Sequence, residues 1–157
     1  MRDGDGRWRT IEHTADLAVE LEASSPAELF LTAADALIGV LRGEEAASAE
    51  PETDSASAEQ PVSEWRELSL EASDREALLV DWLRELLYLT TMTEPPPLFF
   101  AKGEIHALSE TRIEARVAFT GATGLESVER ELKGVTYHDL QLRRRGDSWY
   151  AKIIFDV

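Results

Sequence analysis

Three short polar segments contain the residues best suited to chemistry. The first is Glu12-His13-Thr14-Ala15-Asp16, which places two carboxylates and one imidazole within five residues. Groups of this kind can ligate a metal ion or transfer protons. Polar residues beside a strand are also common in ordinary folds, so this segment taken alone favours a structural role.

The C-terminal end of the sequence contains the second candidate. The odd-numbered residues from 149 to 157 are apolar, so we expect Asp156 on the opposite face at the end of a strand. The α-carboxylate of Val157 follows one residue later. Two such anions repel each other unless water solvates them or a cation bridges them, and hard oxygen ligands suit Ca²⁺, Mg²⁺ or Mn²⁺. The alternative is an ordinary solvated terminus, and spacing alone does not show whether Asp16 meets these groups.

The third segment is Lys133-Gly134-Val135-Thr136-Tyr137-His138, at the start of a predicted strand. His138 shares its parity with Leu140 and Leu142, which favours a buried structural histidine over a catalytic base. Lys133 precedes the strand, and we expect it to be exposed.

Composition and missing motifs exclude several classes of function. The 157 residues include no cysteine, which removes disulfides, thiolate metal sites and cysteine nucleophiles. The net charge of −15 argues against wrapping nucleic acid, because that binding depends on Lys and Arg neutralising phosphates. No P-loop, dinucleotide fingerprint or nucleophile elbow occurs. Without a long apolar run or a signal-like start, we expect a soluble, cytoplasmic protein.

The order of the predicted elements is strand, helix, strand, helix and then four strands. Residues 25–28 and 73–76 form capping boxes that begin the two helices. Alternating apolar residues predict the strands at 15–22, 65–72, 99–108, 112–119, 135–143 and 149–157. Two helices cannot cover both faces of such a sheet. We therefore expect an α+β, two-layer sandwich with a mixed or antiparallel sheet of about six strands and both helices on one face.

The acidic excess is concentrated between Arg42 and Arg66, where seven acidic residues occur and no basic one. This stretch is rich in Ala, Ser and Pro and has no apolar period. It predicts an acidic, solvated and flexible loop at 44–63 within a single domain at 1–157. An acidic docking arm is the alternative function for it.

Together and in this order, the three polar segments and the ending Phe155-Asp156-Val157 resemble the archease family. The likeness runs from about Thr10 to Val157 and implies the archease fold. It also implies that the protein is no enzyme but an accessory protein of an RtcB-type RNA ligase, which uses GTP and a divalent metal in tRNA splicing or RNA repair. Archeases promote ligase guanylylation and multiple turnover.

The resemblance further implies the residues of the site. A divalent metal, most often calcium, would be held by Asp16, the side chain of Asp156 and the terminal carboxylate of Val157. Contacts with the partner ligase would involve Glu12, His13, Glu131, Lys133 and His138. GTP would belong to the ligase, and we expect no direct stable nucleic-acid binding, no membrane, and a monomer or weak oligomer. Glu12 stands where many members have Asp, and the acidic loop is longer than usual.

Two other functions stay open from the sequence. A general chaperone or adaptor would act on unrelated clients and would be indifferent to Asp156. A metal-dependent hydrolase would use His13 or His138 as a base, but the sequence offers no evident nucleophile and no second ligand cluster.

Overall fold

Two helices and eight strands form the part of the chain that the computed structural model describes, residues 6–11, 16–43, 46–48, 64–91, 98–121 and 132–156. Their bounds are β1 Arg7–Ile11, β2 Leu17–Ala23, α1 Pro26–Leu41, β3 Ala46–Ser48, β4 Glu64–Glu71, α2 Arg75–Thr91, β5 Leu98–Leu108, β6 Arg112–Gly121, β7 Gly134–Arg145 and β8 Ser148–Asp156.

The strands form two antiparallel sheets that enclose the helices. One has five strands in the order β3-β1-β2-β8-β7, and the other has three in the order β4-β6-β5. Helix α1 contacts β1, β2 and β8 of the first sheet and β5 of the second, whereas α2 contacts β7 of the first and β4 and β5 of the second. Because both helices touch both sheets, α1 is buried around most of its circumference.

Local hydrogen bonds explain where each helix begins. The Ser25 hydroxyl accepts from the Glu28 N–H at 3.2 Å, and Pro26 occupies the first turn of α1. In α2 the cap is Asp74, whose carboxylate accepts from the Ala77 N–H at 2.8 Å. The second cap therefore lies one residue later than a box starting at Ser73 predicts.

The two helices are joined in the core by Trp82. This side chain is fully buried, its ring centroid lies 6.3 Å from that of Phe30, and its indole N–H donates to the Phe30 carbonyl at 2.8 Å. Phe119 of the three-stranded sheet and Phe155 of the five-stranded sheet belong to the same apolar cluster. One core thus holds both sheets and fixes the position of β8, which carries a candidate residue at its end.

The α+β class and the two helices are confirmed, and the sheet differs in detail from the sequence-based expectation. Eight strands form two sheets rather than about six forming one, and the helices lie between sheets rather than on one face. A helix as apolar all round as α1 needs a second covering layer, which the three-stranded sheet supplies. Strand β3 lies inside the predicted acidic loop 44–63, whose other residues before Glu64 lie outside the described part. No helix in the described ranges is long and apolar enough to cross a bilayer.

Candidate functional site

Strand register brings two of the predicted site residues together at one end of the five-stranded sheet. Leu17 of β2 pairs with Phe155 of β8, so continuing this antiparallel register by one residue places Asp16 opposite Asp156. On the other side of β8, Asp156 pairs with Gly134 of β7. We call Asp16, Asp156, Gly134 and the adjoining Lys133 the acidic tip.

The Asp156 carboxylate faces away from the helices. Its neighbour Phe155 is fully buried in the core, whereas Asp156 is exposed. A Cβ built on Gly134 would lie 3.9 Å from Asp156 Oδ2, so the carboxylate lies over a residue that has no side chain. The backbone N–H of Lys133 donates to the Asp156 carbonyl at 2.8 Å. The chain therefore holds the backbone of Asp156 while leaving space beside its carboxylate.

Charge at the acidic tip is not balanced within the described residues. No ion pair joins Asp16 or Asp156 to another residue in that part of the chain. Like charges directly opposite each other destabilise a strand pair, and a cation between them removes that cost. The donor set is therefore suited to a hard cation. No three His, Asp or Glu side chains group as ligands within the described ranges, so a complete ligand set needs groups outside them.

For most of the remaining predicted site residues, the structure does not describe the side chain. Glu12, His13, Glu131 and Val157 lie outside the described residues. His138 lies in β7, but its side chain is not described. The register of β7 with β8 shifts between Thr136 and Gln141, so the parity used for His138 is not continuous along the strand. Lys133 is exposed, as its position before the strand predicts.

Sequence reasoning missed one feature beside the acidic tip. Arg84 of α2 donates from Nε to the Val135 carbonyl at 3.0 Å, and its guanidinium lies 5.0 Å from the Tyr137 ring centroid. These contacts tie α2 to the start of β7, and no local sequence pattern indicates them.

The opposite end of the same sheet face carries a charged network around Tyr150. The Tyr150 hydroxyl donates to Glu20 at 2.8 Å, and the Arg9 guanidinium donates to the same carboxylate at 2.7 Å. The guanidiniums of Arg145 and Arg143 lie 3.8 and 5.2 Å from the Tyr150 ring centroid. The Glu20 carboxylate at this end of the face is therefore paired with an arginine, and two further arginines lie over the Tyr150 ring.

The network shifts the pKa values of its two central groups. The hydrogen bond from Tyr150, aided by Arg9, lowers the pKa of Glu20 against the opposing effect of partial burial. Burial raises the pKa of the Tyr150 hydroxyl, and its hydrogen bond to the Glu20 carboxylate raises it further. At neutral pH the pair is therefore a phenol donating to a carboxylate.

Comparison with known sequences relates nearly the whole chain to one family. The model of the archease protein family matches residues 8–157. The archease of Methanosarcina mazei is 31% identical over an alignment of 157 positions that covers 96% of each chain. The archease of Methanopyrus kandleri is 29% identical over 154 residues, covering 96% of this chain and 99% of the relative.

Solved structures share the fold at lower sequence identity. Protein 1598 of Methanobacterium thermoautotrophicum superposes with a TM-score of 0.68 at 22% identity, covering 96% of this chain and 98% of that one. An archease of Thermotoga maritima, described as a possible chaperone, gives a TM-score of 0.55 at 21% identity and covers 94% of both chains. The fold agrees with the match that spans residues 8–157, and this chain belongs to the archease family.

Proposed function

We propose that this chain is a cytoplasmic activator of an RtcB-type RNA ligase, promoting ligase guanylylation and multiple turnover in tRNA splicing or RNA repair. The protein acts as an accessory factor rather than as an enzyme, and GTP belongs to the ligase. The observation that carries the proposal is the β2–β8 register, which ends with Leu17 paired to Phe155 and, continued by one residue, would set Asp16 opposite Asp156. Membership of the archease family supports it.

In this proposal the acidic tip is a metal site. The carboxylates of Asp16 and Asp156 and the terminal carboxylate of Val157 would hold a divalent cation, most suitably Ca²⁺ because all the donors are hard oxygens. The bound ion would supply positive charge between the opposed carboxylates. Strand β8 positions Asp156, since the fully buried Phe155 next to it anchors the strand end in the core. The absence of a side chain at Gly134 leaves room beside the Asp156 carboxylate.

Contact with the ligase is proposed for the residues around the acidic tip. Lys133 is the exposed member of the acidic tip directly before β7, where it can reach an acidic or phosphate group of the partner. Glu12, His13, Glu131 and His138 complete the proposed contact set. The net charge of −15 would speed the approach to a basic, RNA-handling enzyme through electrostatic steering.

The test is multiple-turnover RNA joining by the cognate ligase, with the ligase limiting and the RNA in excess. Adding this protein should raise the number of joined ends per ligase molecule. Asp16→Ala, Asp156→Ala and a short extension after Val157 should each abolish the increase. The matched control is Glu110→Ala, which removes an exposed acid from the turn between β5 and β6 and should leave activation intact. Undiminished activation by all three tip variants would refute the metal site.

A general chaperone is the second candidate, because the Thermotoga maritima archease is described as a possible chaperone. A chaperone would suppress heat-induced aggregation of unrelated proteins, and Asp156→Ala would not change that suppression. Light scattering of two unrelated client proteins separates the candidates. If the chain is a ligase activator, we expect it not to suppress aggregation of either client.

A further inference from the structure

On the face of the five-stranded sheet that points away from the helices, the charge changes from acidic to basic along the strands. The residues that alternate with core-facing Ala151, Ile153 and Phe155 lie on this outer face. The acidic tip lies at one end of it. At the other end lie five basic side chains, which we call the basic end: Arg7, Arg9, Arg143, Arg145 and Lys152.

Counted over the described residues, the basic end carries net positive charge, whereas the chain as a whole is strongly acidic. Cross-strand pairing aligns Arg9, Glu20 and Lys152 in one row. Arg7, Glu22, Tyr150 and Arg143 share the next row. Only two acids lie in these rows, and each accepts from an arginine: Glu22 from Arg7 and Glu20 from Arg9. Among the described residues of the basic end, five basic side chains therefore face two acids, and Arg145 shares the Glu20 carboxylate with Arg9 through its charge.

Tyr150 holds part of this charge in place. The ring is 6% exposed, and the guanidiniums of Arg143 and Arg145 lie over it at the surface. The hydrogen bond from its hydroxyl to Glu20 fixes the ring. Restricting two arginines before binding lowers the entropy lost when they contact an anion. The basic end is thus an ordered cationic surface rather than a set of independent side chains.

We propose that the basic end binds the phosphate backbone of RNA while the acidic tip engages the ligase. This inference rests on the proposed function, which places the chain beside RNA. Arg7 and Arg9 already donate to Glu22 and Glu20, so the phosphate contacts fall to Arg143 and Arg145, whose planar guanidiniums match phosphate oxygens in pairs. Tyr150 is buried and cannot stack on a base, so the contact is independent of sequence.

The spacing of the two ends suits this division. Tyr150 lies six positions before Asp156 along β8, which corresponds to about 20 Å of extended strand. An RNA end in the ligase cleft near the tip would present its backbone to the basic end several nucleotides away. The contact is weak and salt-dependent, since few charges take part and the chain as a whole repels RNA.

The test measures binding of a fluorescein-labelled, mixed-sequence single-stranded RNA by anisotropy, using the full chain at low salt with and without the ligase. Arg143→Glu combined with Arg145→Glu should weaken binding about tenfold and reduce the salt slope by about 1.4, since each phosphate contact on single strands contributes about 0.7. Replacing both residues by Lys should retain most of the binding. The control Arg112→Glu reverses an exposed charge on the three-stranded sheet and should bind like the native chain.

Two results would overturn the inference. One is unchanged RNA affinity and salt slope in the double Glu variant, provided that thermal melting shows it folded. The other is loss of ligase binding by that variant when no RNA is present, which would assign the basic end to an acidic protein surface. RNA binding can be measured without the ligase, so this inference is tested separately from ligase activation. A chain that binds RNA through the basic end but does not activate the ligase would contradict the proposed function and leave this inference standing.

Discussion

The two ends of the outer face of the five-stranded sheet hold their charges in opposite ways. At the acidic tip, the β2–β8 register continued by one residue sets Asp16 opposite Asp156, and neither forms an ion pair with any residue in the described ranges. At the basic end, Glu20 and Glu22 are each paired with an arginine. Opposed like charges cost stability, whereas paired charges do not. The difference supports the proposed cation site at the tip, whereas the two acids of the basic end already have arginine partners.

The largest expected effect is on calcium-dependent stability. If the tip binds Ca²⁺ only when folded, a concentration one hundred times the dissociation constant stabilises the chain by about 2.7 kcal/mol. Asp16→Asn with Asp156→Asn should remove this increase and raise the melting temperature of the metal-free chain, because the repulsion is gone. Differential scanning calorimetry with EDTA or Ca²⁺ measures both effects. Glu110→Gln is the control. If Ca²⁺ stabilised the double Asn variant as much as the native chain, the proposed calcium site at the acidic tip would be wrong.

The second effect concerns the hydrogen bond at the basic end. Tyr150→Phe keeps the ring beneath Arg143 and Arg145 but leaves Glu20 without its phenol donor. Hydrogen bonds to charged groups contribute about 1.5–3 kcal/mol, and partial exposure of Glu20 places the expected loss near the lower value. Urea unfolding measures it. Tyr137→Phe is the matched control, since that hydroxyl is 3.5 Å from Asp81 and should matter less. Equal losses would show that the hydrogen bond from Tyr150 to Glu20 contributes no more than the long contact from Tyr137 to Asp81.

The same network should give stability a dependence on pH at both extremes. Glu20 has a lowered pKa, so its contribution is present above the ordinary value of 4.5 and is lost as pH falls through the folded-state pKa. Tyr150 has a raised pKa, so its contribution is present below the ordinary value of 10.0 and is lost as pH rises through the folded-state pKa. Urea unfolding across pH should show both declines. If the stability of Tyr150→Phe declined as steeply at both low and high pH as that of the native chain, other titrating groups would be responsible for the declines.

The smallest effect is expected for the exposed ion pair between Arg7 and Glu22. Arg7 is 68% exposed, so solvent screens the pair, and Arg7→Ala should cost less than about 1 kcal/mol. Urea unfolding at low and high salt should give a small loss that salt reduces. A loss larger than that of Tyr150→Phe would reverse the ranking of contacts within the basic end.

Much of the fold could be predicted because its signals are local. Alternation at Leu17–Ala23 and the cap at Ser25 are visible in a few neighbouring residues, and β2 and α1 follow from them. Strand β1 was missed because it is short and places arginines on one face, and β3 because three small residues give no pattern. The division into two sheets depends on which strands pair, and alternation does not specify partners.

The candidate site was predictable by residue but not by arrangement. The sequence indicates Asp16 and Asp156 as candidates, because each is an acid at the end of an apolar strand. Their meeting depends on the β2–β8 register, which joins residues far apart in the chain. The basic end could not be predicted at all, because Glu20 and Tyr150 are separated by 130 positions and neither is unusual in its own segment. Long-range pairing, rather than local motif, creates both ends of the face.

The most direct test of the central claim is the initial rate of ligase guanylylation without RNA, measured side by side for the native chain and two variants. Asp156→Ala should lose the stimulation, because it removes a carboxylate from the tip to which the proposal assigns contact with the ligase. Arg143→Glu combined with Arg145→Glu should stimulate as the native chain does, because the basic end acts only on RNA. Full stimulation by Asp156→Ala would contradict the account.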